Sequence, residues 1–69
     1  DEALYADDGG LAIIKRCVEQ VAARGKTGTL LLLEADTSQL DGIVSYARTY
    51  KFKEQLRDEY AVALLLETN

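Results

Sequence analysis

Two stretches of this chain are apolar at every position: Leu30-Leu31-Leu32-Leu33 and Ala61-Val62-Ala63-Leu64-Leu65-Leu66. They have strand length, and the first is bounded by Gly28 and Glu34. An apolar run of that length with no polar alternation reads as a strand covered on both faces. Length and boundaries carry this reading, since leucine is not a strong strand former. A domain of 69 residues buries only about 60% of the surface its unfolded chain exposes. Domains this small are usually reinforced by disulfides, metals or a partner. Cys17 is the only cysteine and histidine is absent. An internal disulfide and the usual zinc ligand sets are therefore excluded. Dense apolar packing, for which a 48% hydrophobic content is sufficient, or association with a partner remains.

Helical periodicity fills the rest. Leu11, Ile14, Val18, Val21 and Ala22 recur on one face, with Ile13 and Cys17 widening the stripe and charged residues opposite. The pattern predicts a helix over roughly 9–24, with Asp8 as N-cap and Gly25 as a left-handed closing residue. Ser38 and Asp41 have capping-box spacing. Leu40, Ile43, Val44 and Ala47 follow on one face, which predicts a second helix over roughly 38–52. In residues 49–56 the even positions Tyr50, Phe52 and Leu56 suit a strand, and Phe52 to Leu56 also suits a helix. Glu54 spoils the alternation, and a hairpin of 49–56 with 60–67 would lack the Gly or Asn of a tight turn. The helical reading is preferred.

The expected order is helix, strand, helix, strand, with a further short strand around Ala3 to Ala6. Such alternation predicts one small α/β domain over 1–69, in two or three layers, with a short and mainly parallel sheet. Residues 29–67 then form a βαβ core. No methionine is present, and the chain is expected to be a processed product or a fragment of a longer protein.

The net charge is −4, and the basic residues are dispersed. Nucleic acid wants a clustered basic face and is excluded as a partner. No apolar run reaches the ~18 residues of a membrane span, and no signal peptide is visible. A lone thiol in that setting predicts a cytoplasmic protein.

Several residues are candidates for chemistry or binding. Gly25-Lys26-Thr27 has the letters of a phosphate loop, but Val21 stands where the first glycine is needed and the order is helix then strand. A plain connecting turn is expected. Glu34, Asp36 and Asp41 gather acid after the first apolar run. Three carboxylates there would suit Mg²⁺ or acid–base work; the plainer reading is turn and helix-start residues. Cys17 lies on an apolar face and is expected to be an inert, buried thiol. Tyr46 and Tyr50 are four apart, offset from the core stripe, with Phe52 close in sequence. Aromatic residues so placed are interface anchors, or else they cap the edge of the core.

Leu30 to Glu34, with Asp41-Gly42 seven residues on, resembles the centre of a response-regulator receiver domain, where an apolar strand ends in the phospho-accepting residue. Ala61 to Leu66, ending near Thr68, resembles that family's next strand and hydroxyl residue. The same elements look somewhat like the small domains of the sulfate-transporter and anti-sigma-antagonist type. Glu34 stands where receivers carry Asp, and Ser38 where they carry Pro. The resemblance implies a degenerate, receiver-like signalling domain.

The expected function is a non-catalytic protein-interaction or regulatory module. Its interaction residues would be Tyr46, Tyr50 and Phe52, and its partner another protein or a second copy. No cofactor or metal is expected. The alternative is a small Mg²⁺-dependent phosphoryl-transfer or acid–base site on Glu34, Asp36 and Asp41.

Overall fold

The computed structural model describes residues 10–68. The N-cap expected at Asp8 and the short strand expected near Ala3 to Ala6 lie outside the described residues. The elements in chain order are α1 (Leu11–Arg24), β1 (Leu30–Glu34), α2 (Thr37–Arg48), β2 (Phe52–Arg57) and β3 (Ala61–Leu66).

The helices form where the apolar spacing predicts them. Val18 of α1 and Leu40, Ile43, Val44 and Ala47 of α2 are buried. They share one core with Leu33, Phe52, Val62, Leu64 and Leu66 of the strands. No polar side chain is buried among the described residues. The core is held by apolar burial alone, at about 25 cal/mol per Å² of apolar surface removed from water.

The helix ends differ from expectation. Gly25 is extended, with φ −80° and ψ 168°, so it does not serve as a left-handed cap. It is required for close approach: a Cβ there would lie 2.7 Å from the Val21 carbonyl oxygen and 3.0 Å from a Leu66 methyl. The N-cap of α2 is Asp36, two residues before Ser38. Its Oδ2 accepts from the Ser38 backbone N–H at 3.1 Å. The helix ends at Arg48 rather than in the low fifties, and Lys51 follows in the left-handed region at φ 73°. Residues 26–29 form the plain turn that was expected, with the Thr29 N–H donating to the Lys26 carbonyl.

The expected fold class, a mainly parallel βαβ sheet, is overturned. The sheet has three strands in the order β1-β3-β2, and both pairings are antiparallel. The molecule is a small two-layer α+β domain. Since β1 and β2 each run opposite to β3, they are parallel to one another, with β3 between them. A crossover through α2 therefore does link two parallel strands, but its second strand is β2. The second apolar run returns as a hairpin partner and takes the centre.

This hairpin is the alternative that the missing turn glycine argued against. Asp58 closes it instead: its N–H donates to the Ala61 carbonyl, and its carboxylate accepts from the Glu59 N–H. Thr37 Oγ1 donates to the Glu59 carbonyl and ties the turn to the start of α2. Glu54, which spoils the alternation, lies on the helix-covered side of this edge strand and pairs with Arg57. The register shifts between Glu54 and Leu56, so Gln55 is an extra residue opposite β3. Such a bulge reverses the inside–outside phase of the residues beyond it.

Candidate functional site

Residues directly opposite on neighbouring antiparallel strands share a face. The registers thus sort the sheet into rows. Leu31 and Leu33 of β1 and Val62, Leu64 and Leu66 of β3 lie on the helix-covered face with Phe52. The other face carries the row Leu30–Leu65–Lys53, the row Leu32–Ala63–Leu56, and Glu34 opposite Ala61. Both helices pack into the one core, so no described element covers this second face. Leu30 is 59% exposed, Leu32 67% and Leu56 70%. Ala63 is nonetheless buried, because leucines flank it on both sides. The result is a shallow apolar valley floored by alanine and walled by leucine. Lys53 stands at one end of this exposed apolar patch and Glu34 at the other.

Sequence reasoning missed this face because both apolar strands read as covered on two sides. The signal was present in the number of helices. Two helices, each about 10 Å wide, span one face of three strands spaced about 4.8 Å apart and leave no described element for the other.

The expected interaction residues separate. Tyr46 and Tyr50 do meet, with ring centroids 5.3 Å apart. Both are half-buried against the edge of the core. Phe52 does not join them. It is 3% exposed and sits in the core, because it begins β2 on the helix-covered side. Around the tyrosines lie two α1 residues that no local pattern announces. The Tyr46 hydroxyl donates to the Glu19 carboxylate, and Lys15 Nζ stands 5.1 Å from the Tyr46 ring centroid. The bond to Glu19, and a weaker one to Tyr50, hold the Tyr46 phenol well above the usual tyrosine range. Protonated at neutral pH like any tyrosine, it donates from α2 to α1. A hollow of about 300 Å³ opens beside this pair, lined by Glu19, Ala22, Thr49, Tyr50 and Thr68.

The acidic residues of the alternative reading do not converge. Glu34 faces the open side of the sheet. Asp36 caps α2, and its bonds from Ser38 hold its carboxyl below the ordinary value. Asp41 pairs with Arg57 at 2.7 Å. Arg57 also pairs with Glu54 at 3.0 Å, and these two carboxylates raise the guanidinium further above its usual value, Glu54 contributing most. Among the described residues no three His, Cys, Asp or Glu side chains are placed to hold a metal ion. Cys17 is half-buried at the core margin. Among the same residues no helix is long and apolar enough to cross a membrane.

Comparison with protein-family models, with curated proteins and with solved structures finds no match.

Proposed function

We propose that this domain is a non-catalytic protein-interaction module and that its docking surface is the open face of the sheet. The observation that carries the reading is the set of exposed leucines, Leu30, Leu32 and Leu56, around Ala63 on one continuous strand surface. Scattered surface leucines need no explanation. Three on one rigid sheet face, beside an edge strand apolar in four of its five positions, do. Main-chain rigidity keeps the entropy lost on docking small. Nothing comparable supports chemistry, because the carboxylates are dispersed into a cap, an ion pair and a strand end.

Site-specific photo-crosslinking in cells producing the chain tests this reading. A photoreactive residue at Leu32 or Leu56 should give protein adducts, and the same residue at Arg16, on the outer side of α1, should give none. Equal capture at all three positions, or none at Leu32 and Leu56, would contradict it.

A further inference from the structure

We infer that the occupant of the open face is a second copy of this chain, packed face to face about a two-fold axis; this rests on the docking role proposed for that face. The argument comes from where the charges fall. Within the ladder the open face carries two charged side chains, Lys53 and Glu34. Lys53 shares a row with Leu30 on one end of the sheet, on strand β2. Glu34 stands opposite Ala61 at the other end, on strand β1. They occupy diagonal corners and are opposite in sign. The ion pairs of the described residues are those Arg57 makes with Asp41 and Glu54, so Glu34 and Lys53 are each without an opposite charge there.

A two-fold interface must be complementary to itself. A two-fold axis lying between the facing sheets, perpendicular to the Glu34–Lys53 diagonal, sets Glu34 of each copy over Lys53 of the other. It does so twice, and it lays Ala63 over its own equivalent at the centre. By the strand spacings, Leu56 of each copy then falls over Ala61 and Ala63 of the other, and Leu32 over Ala63 and Leu65. From strand spacings of about 4.8 Å and rises of about 3.4 Å, the strands of the two sheets cross at about 70°, near the orthogonal class of sheet packing. The opposite sign of the two corners makes the patch fit itself. Had both been acidic, the same operation would bring like charges together. The patch is small, about 15 by 17 Å by the same spacings, well below the roughly 800 Å² per partner of a standard interface. A contact of this size makes a weak, transient dimer. The chain's net charge of −4 opposes it at low salt, and at 0.15 M the repulsion is screened beyond about 8 Å.

Sedimentation equilibrium of the full chain at 10–500 μM in 0.15 M salt, with circular dichroism as the fold control, tests the inference. The parent should dimerise. Glu34→Lys and Lys53→Glu should each weaken the dimer by about tenfold or more, since each breaks two symmetry-related pairs. The double reversal, E34K with K53E, should restore it to within about threefold. A parent that is monomeric at 500 μM, or a double reversal as weak as the singles, would overturn the inference. The crosslinking experiment separates this failure from that of the docking reading. Capture at Leu32 of a protein of different mass would overturn the second copy and leave the docking face standing, whereas a monomeric parent with no capture would overturn both.

Discussion

The two faces of one three-stranded sheet have had opposite fates. On one, Leu31, Leu33, Val62, Leu64 and Leu66 meet two helices and form the core. On the other, Leu30, Leu32 and Leu56 are as apolar and are left mostly in solvent. Within β1 the two sets alternate residue by residue, leucine after leucine. Composition does not separate them; topology does, because both helices fall on one side. The contrast is the ground on which the open face is proposed as a docking surface.

The largest test of that contrast compares Leu64→Ala with Leu32→Ala. Leu64 is fully buried in the central strand, and its truncation should cost about 2–5 kcal/mol. That is a large share of the roughly 3–10 kcal/mol that a domain of this size holds. Leu32→Ala should stay within about 0.5 kcal/mol in the isolated chain. Chemical denaturation measures both, and equal losses would mean that the open face is packed internally.

Gly25→Ala comes next. The added methyl meets backbone at 2.7 Å, which a flexible side chain cannot relieve. A loss of about 1–3 kcal/mol is expected, again by denaturation. Lys51 offers a change of opposite sign. It holds φ 73° without being glycine, so Lys51→Gly should stabilise by about 1 kcal/mol and raise the melting temperature.

The smallest effect is at the cap. Asp36 has its carboxyl held below 3.8 by the bonds from Ser38. A depressed carboxylate contributes stability above its unfolded pKa, and that contribution fades as pH falls through the lower folded value. Asp36→Ala should therefore melt several degrees below the parent at neutral pH, with the gap closing as pH falls below the ordinary carboxylate range. A gap that persists at acid pH would assign the cap to something other than the carboxylate.

Much of the helical layer was legible in the sequence, because Leu40, Ile43, Val44 and Ala47 repeat at the helical period whatever surrounds them. The apolar runs were legible as strands for the same local reason. Their direction was not: antiparallel pairing of β1 with β3 depends on β2, and β2 was hidden by Glu54, a charged residue on its inner side that pairs with Arg57, and by a turn without glycine. Phe52 was misplaced in consequence, since an aromatic read at a helix end becomes a core residue at the start of a strand. The Tyr46–Tyr50 contact was legible from its spacing of four. Glu19 was not, because the residue that meets Tyr46 lies 27 positions away and only tertiary packing joins them.

The most direct test of a covered face and a proposed docking face sets Leu33→Asp beside its neighbour Leu32→Asp. Circular dichroism and sedimentation are read on the same samples. Leu33→Asp should be unfolded, because it places a charge in the core. Leu32→Asp should keep its helical signal and cooperative melting, and it should be monomeric at concentrations where the parent associates. Unfolding of both variants alike, or a folded Leu32→Asp that associates as the parent does, would contradict the account.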